Sequence, residues 1–257
     1  FQVGASKGSD GYSQNTRVRL NFDARSETEL GELRGYLRIQ ANSNSPLLSS
    51  QATATVGGVA VTAPVSATGA AAFQNGDTPY RADQAIVQLG GLFMGYTESA
   101  FAALWGGGVG NWGFIQTDNG GSYGYQQRQQ IGYRYDAGAF YAALVLENDE
   151  VANPASDWAT DVVGVLGMTQ GWGGAFAHIG YDESAKAVGV KAGVELAIAA
   201  TGGSLRVGGF YSDKISNQYG IGMPGGFAAV TPVTVNSATA EVANWSAAIG
   251  YTQDITA

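Results

Sequence analysis

The sequence predicts an all-β protein, a transmembrane antiparallel β-barrel, and three observations carry that prediction. The 257 residues include 39 Gly, about twice the ordinary share, and 13% charged residues, about half the ordinary fraction, beside an unremarkable 45% hydrophobic content. Segments alternating apolar and polar with period 2 recur along the chain, while helix signals are nearly absent. Mean hydropathy is -0.04, and no run of about 18 apolar residues offers a spanning helix. A chain too uncharged for a soluble surface and too polar for buried helices suits a barrel with one wall on lipid and the other on water. The 13 Tyr, 10 Phe and 5 Trp, with so few charges, argue against disorder.

The clearest strand begins at Thr16, where Val18, Leu20, Phe22 and Ala24 alternate with Arg17, Arg19, Asn21, Asp23 and Arg25. A turn over residues 26–31 follows. Leu33, Gly35, Leu37 and Ile39 then alternate with Arg34, Tyr36, Arg38 and Gln40, giving a hairpin with one apolar face and one basic face. Further strands are expected near 82–90, 92–98, 123–136, 139–148, 160–170, 174–182, 186–198, 203–213 and 243–254. Tight turns separate many of them: Gly90-Gly91, Asp136-Ala137-Gly138, residues 171–174 and Thr201-Gly202-Gly203. Long connections occupy 7–15, 43–81, 99–122, 149–159 and 214–241. Terse turns at one end and long loops at the other are the pattern of an outer-membrane barrel. Most strands reach the roughly 9–11 residues that a tilted strand needs to cross the hydrocarbon layer.

Residues 39–76 and 215–240 contain no formal charge, and each stretch holds two prolines. Weak alternation interrupted by Pro marks them as loops with room for short β-pairing, not as spanning strands. Aromatic girdle candidates near strand ends are Tyr96, Tyr123, Tyr125, Tyr133, Tyr135, Trp172, Tyr181, Tyr211, Trp245 and Tyr251; ordinary β-propensity is the alternative.

Several functions are excluded early. A net charge of -8 disfavours nucleic acid, which needs a concentrated basic face. With no Cys, thiolate metal sites, disulfide scaffolds and Cys nucleophiles are ruled out. The opening Phe1-Gln2-Val3 shows no signal peptide, so the sequence reads as processed or partial.

The run Arg17-Val18-Arg19-Leu20 leading through Ser26-Glu27-Thr28-Glu29-Leu30-Gly31 resembles the second strand and first turn of the alphaproteobacterial porins, typified by the Brucella and Rhizobium major porins. Ile86-Val87-Gln88-Leu89-Gly90-Gly91 with Glu98-Ser99, Asp161-Val162-Val163-Gly164, and Gly171-Trp172-Gly173 with Tyr181-Asp182 are similar to that family, in the same order. The resemblance implies a sixteen-stranded barrel, a homotrimer in the outer membrane of a Gram-negative bacterium among lipid and lipopolysaccharide, and a third outer loop folded into the pore. About twelve strands are counted in residues 1–257, read as one barrel domain. An unclosed sheet would leave raw edges in lipid, so the first strand's start and the C-terminal strands are expected to lie outside this sequence.

Five of the nine arginines, Arg17, Arg19, Arg25, Arg34 and Arg38, occupy the polar face of the first hairpin. If Val18, Leu20, Leu37 and Ile39 face lipid, these arginines face the lumen, since Arg against lipid at mid-depth costs about 2–4 kcal/mol. Residues 99–122 form the candidate pore-constricting loop, with Glu98 near its start, Asp118 near its end, and Trp105, Trp112 and Phe114 as wall anchors. A basic wall facing acids on that loop would set a transverse field that orients dipolar solutes and selects ions. Ordinary cross-strand pairs, such as Arg25 with Glu32, are the alternative. Arg128 and Arg134 extend the expected pore lining, as do Lys191 and Arg206, with Asp161, Asp182 and Glu195 as acidic counterparts; the phase is weaker here because 139–148 and 160–170 alternate poorly.

Gly108-Val109-Gly110-Asn111-Trp112-Gly113 formally matches G-x-G-x-x-G, but no following helix supplies the context of a dinucleotide site. His178, the one histidine, falls on the polar side between Ala177 and Ile179 without a nucleophile or orienting partner, so no catalysis is expected. Glu147, Asp149 and Glu150 offer oxygen ligands at a strand end, but without fixed geometry they read as a solvated edge. No cofactor, metal or enzymatic activity is expected. The sequence therefore points to a passive diffusion channel for ions and small hydrophilic solutes. An adhesion or binding barrel acting through loops 43–81 and 214–241 is the alternative, and a soluble β-sandwich a weaker third.

Overall fold

The computed structural model describes residues 2–5, 12–44, 51–56, 59–64, 80–110, 127–148, 159–214, 217–220 and 245–253. Twelve strands pair in the order β1 (Gln2–Ala5), β2 (Tyr12–Thr28), β3 (Gly31–Asn44), β6 (Tyr80–Leu89), β7 (Leu92–Glu98), β8 (Gln127–Asp136), β9 (Phe140–Asn148), β10 (Asp161–Gln170), β11 (Gly173–Asp182), β12 (Ala187–Ile198), β13 (Gly203–Ser212) and β14 (Trp245–Thr252). Each described pairing is antiparallel between neighbours in this order, for example Val165↔His178 and Glu195↔Arg206. β4 (Gln51–Val56) and β5 (Val59–Pro64) form a separate two-stranded hairpin inside the long uncharged connection. A one-turn helix, α1 (Ala100–Ala103), follows β7, and a single 3-10 turn spans Gln218–Gly220.

The chain divides into two compact units, Phe1–Asp23 with Leu37–Asp83, and Ala24–Tyr36 with Gln84–Ala257. The first holds β1, the distal parts of the β2 and β3 strands, the β4–β5 hairpin and the start of β6. The second holds the turn joining β2 to β3, the rest of β6, and β7 through β14.

Turn chemistry explains the short connections. Leu30 N donates to Thr28 Oγ1 at 3.2 Å, that hydroxyl donates to the Gly31 carbonyl at 2.6 Å, and Gly31 takes φ +107°, a left-handed conformation that a side chain would strain. Between β8 and β9, Gly138 N donates to Asp136 Oδ1 at 2.9 Å. One connection breaks the expected alternation of short turns with long loops. Residues 183–186 join β11 to β12 tightly at the long-loop end, closed by an ion pair of 2.6 Å between Lys186 and Glu183.

The period-2 alternation places two chemistries on two faces. Val18, Leu20 and Phe22 are each more than half exposed, and Leu33, Leu37, Val87, Met94, Ile131, Leu144, Leu166, Ile179, Val207 and Ile249 are exposed on the same side of their strands. Apolar side chains in such rows have no business in water; lipid is the solvent that suits them. Near strand ends the exposed face carries Tyr133, Tyr135, Trp172, Tyr181, Tyr211, Trp245 and Tyr251, with Tyr211 opposite Trp245 in register. Tyr96 is half-buried instead, and Tyr123 and Tyr125 lie outside the described residues.

The other face is polar at its edges and apolar at one patch. Val145, Val163, Val165 and Phe176 point to it and are buried under Phe101, Leu104 and Val109 of the α1 segment. That patch explains the poor alternation of β9 and β10. Their lipid-facing and opposite rows are both apolar where the helix covers the sheet.

Candidate functional site: the polar face and the loop docked on it

In the first unit, Asp83 at the start of β6 is buried beside two arginines. Its Oδ2 lies 3.6 Å from Arg19 Nε and 3.6 Å from Arg38 NH1. Arg19 Nε also donates to Gln40 Oε1 at 2.7 Å, and Arg38 Nε to Asn21 Oδ1 at 3.0 Å. Alternation places Arg17, Arg19 and Arg38 on the polar face, but no local pattern marks Asp83 as an acid beside Arg19 and Arg38. The available signal was order: β6 follows β3 in the sheet, so a charge at its start meets the arginine hairpin. Arg17 is exposed.

In the second unit, Arg25 pairs with Glu32 at 3.4 Å, the ordinary cross-strand contact. Arg34 stacks over Trp105 at 4.7 Å and Tyr36 at 5.5 Å. Arg134 NH1 donates to the carbonyls of Trp105 (3.2 Å) and Gly107 (2.6 Å), and its NH2 pairs with Asp136 at 2.8 Å. Arg34, Arg134, Trp105, Gln88, Phe93 and Asp136 border a cavity of about 420 Å3. Arg128 is buried, with its guanidinium donating to Gln218 Oε1. Glu98 is buried at the end of β7, where its carbonyl accepts from Gln130 Nε2 at 2.8 Å. Asp118, Trp112 and Phe114 lie outside the described residues. Arg206 pairs with Glu195 at 3.4 Å.

The loop after β7 is held by its backbone. A one-turn helix leaves most of its amides and carbonyls without intrahelical partners, and buried ones need donors or acceptors from elsewhere. The sheet's polar face supplies them. Glu147 Oε1 accepts from Ala100 N at 2.6 Å and its Oε2 from Ser99 Oγ at 2.8 Å, while Ser99 Oγ caps Phe101 N at 3.2 Å. His178 Nδ1 lies 2.9 Å from the Phe101 carbonyl, so that nitrogen carries the proton and donates. Lys191 Nζ donates to the carbonyls of Ala102 and Gly110, each at 3.1 Å. Tyr141 donates to the Val109 carbonyl, and Trp105 Nε1 to Gln88 Oε1 at 2.8 Å.

These contacts answer three sequence expectations. His178 and Lys191 do fall on the polar face, but both are buried against the loop. Glu147 is no solvated edge, being fully buried at the helix start; Asp149 and Glu150 lie outside the described residues. Two glycines of the G-x-G-x-x-G match, Gly108 and Gly110, serve close approach, and Gly113 lies outside the described residues. A Cβ on Gly110, at φ +91°, would come within 2.6 Å of the Phe176 ring. Among the described residues no group of three or more His, Asp or Glu could hold a metal ion.

Residues 217–220, beyond β13, also dock on this face. Gln218 N donates to Asp182 Oδ2 at 2.8 Å, and Asn217 Nδ2 to Ser212 Oγ at 3.0 Å. The Tyr219 hydroxyl lies 3.2 Å from Glu147 Oε2 and 3.1 Å from Asp161 Oδ2. Burial, reinforced by the charges of Glu147 and Asp161, holds the Tyr219 phenol above its usual range, so it stays a donor. No charge or motif marks this segment's role, since it sits in a stretch without charge.

No curated protein matches the chain significantly. Among solved structures, the crystal structure of the outer membrane channel DcaP of Acinetobacter baumannii is similar at 13% identity and a TM-score of 0.47, over 76% of this chain and 51% of that one. The chain thus spans about half the length of that structure. The profile of the porin subfamily matches residues 2–256, and the chain belongs to that family, whose members are β-barrels of the Gram-negative outer membrane and not enzymes.

Proposed function

We propose that the chain forms a passive diffusion channel for ions and small hydrophilic solutes, with a barrel of sixteen strands to which residues 1–257 contribute twelve, assembled as a homotrimer among outer-membrane lipid and lipopolysaccharide. The observation that carries the reading is that the described strands show an exposed apolar row and, outside the patch that α1 covers, an opposite polar row that bears arginines. A wall between lipid and water calls for such a pair of rows.

The mechanism is sieving with electrostatic selection. The α1 segment, 99–110, narrows the lumen because the sheet's own donors hold its backbone against the wall, and the loop is read as extending that constriction through 122. Arg17, Arg19, Arg25, Arg34, Arg38, Arg134 and Arg128, with the acids Asp83, Glu98 and Asp118, fix the charge that a hydrated ion meets. Fixed charges along a water-filled path bias which ions enter, without covalent chemistry.

Reconstitution into planar bilayers tests this. The wild type should give stepwise ion currents, and replacing Arg17, Arg19 and Arg38 with Gln should move the reversal potential in a salt gradient toward cation preference. A wild type that passes no current overturns the channel reading in favour of a plugged, surface-acting barrel. An unmoved reversal potential overturns the role of the arginines.

A further inference from the structure

The connection after β13 begins on the same polar face as α1, and the contacts there form a chain from one loop to the other. Gly180 and Gly189 are register partners on β11 and β12. Tyr219 lies over this pair so closely that a Cβ on Gly180 would come within 2.5 Å of its ring and one on Gly189 within 2.6 Å of the Tyr219 Cβ. The same ring packs on Phe101 of α1 with centroids 5.3 Å apart. Its hydroxyl reaches Glu147, the carboxylate that also accepts from Ser99 Oγ and Ala100 N. Burying Glu147, Asp161, Asp182 and Arg128 together is costly unless each is hydrogen-bonded. Each has a bond into one of the two docked segments: Glu147 into both, and Asp161, Asp182 and Arg128 into 217–220.

We infer that residues 217–220 are a second inward anchor, and that Tyr219 is a positioning residue which acts through Glu147 on α1, so that two loops set the constriction jointly. The inference rests on the channel reading for its effect on permeation, though the docking itself does not need a current to be observed. Glu147 is the shared acceptor. Removing the Tyr219 hydroxyl or weakening the carboxylate therefore loosens the same link, and removing both adds little to removing one.

The test uses the full chain reconstituted in bilayers, with Tyr219→Phe, Glu147→Gln and the double variant. Each single variant should raise single-channel conductance by roughly a third, with a noisier open state, and the double variant should match the larger single effect. Unchanged conductance in both single variants, or effects that multiply in the double, would overturn the inference. Trypsin cleavage after Lys214, an exposed residue next to the docked segment, gives a readout independent of current. It should be slow in the wild type and about tenfold faster in Tyr219→Phe, as expected when a docked segment loses a hydrogen bond to a charged acceptor. Equal cleavage rates would refute the anchoring. A wild type that resists trypsin but carries no current would leave the anchor standing and overturn only the channel reading.

Discussion

Lys191 donates its ammonium to the carbonyl of Gly110 at 3.1 Å, joining the middle of β12 to a loop 81 residues earlier. The amine is fully buried, and it also meets the Ala102 carbonyl and the rings of Phe101 and Phe176, at 5.5 and 5.8 Å. Two carbonyl dipoles and two ring faces offset the loss of water around the charge. In Lys191→Met the stem still fills space but both carbonyls lose this donor, at a cost of about 1–3 kcal/mol. The expected result is a lower thermal midpoint in detergent and a larger, noisier single-channel current.

Asp83 should govern ion preference more directly than its burial suggests. It is the acid beside Arg19 and Arg38. Asp83→Asn removes a negative charge from beside both guanidinium groups, so the permeability ratio should move toward anions by roughly two- to fivefold. Measurement of the reversal potential in a salt gradient checks this. No movement would assign the selecting acid elsewhere.

Leu144 discriminates lipid from water as the medium on the exposed face. It lies mid-strand in β9 and is 60% exposed. On a water-facing surface Leu144→Lys would change stability by less than about 0.5 kcal/mol. Against the bilayer midplane it should cost about 2–4 kcal/mol, measured by denaturant unfolding from liposomes.

Gly167 supports the loop through Tyr141. A Cβ there would sit 2.1 Å from the Tyr141 ring, whose hydroxyl holds the Val109 carbonyl and whose face takes the Arg134 guanidinium at 5.0 Å. Gly167→Ala should therefore displace the ring, destabilise the fold by about 1–3 kcal/mol and loosen the loop. Gly171→Ala, with nothing within 4 Å of the added carbon, is the matched control and should leave the thermal midpoint nearly unchanged.

The strands and their two faces were legible because period 2 is a local property: Val18 beside Arg19 already says which way each side chain turns. The polar-face assignments of Arg19, Arg34, Arg38, Arg134, His178 and Lys191 followed from the same rule. What those residues hold was not legible. Lys191 meets Ala102 and Gly110, His178 meets Phe101, and Tyr219 meets Glu147, each across more than 70 positions of chain. Most of the loop's bonds also end on its backbone carbonyls, which every residue carries, so no side-chain motif marks them. Tyr219 was hidden further by lying in a long uncharged segment whose composition resembles any loop.

Leu144 and Val145 are consecutive in the chain yet look to opposite sides of β9. Substitution can thus rewrite one row and leave its neighbour intact, so what passes through the wall is free to diverge while the way the wall is inserted stays as it was. Adding or deleting a single position within a strand has no such freedom. It exchanges the two rows along the rest of that strand and forfeits both properties together.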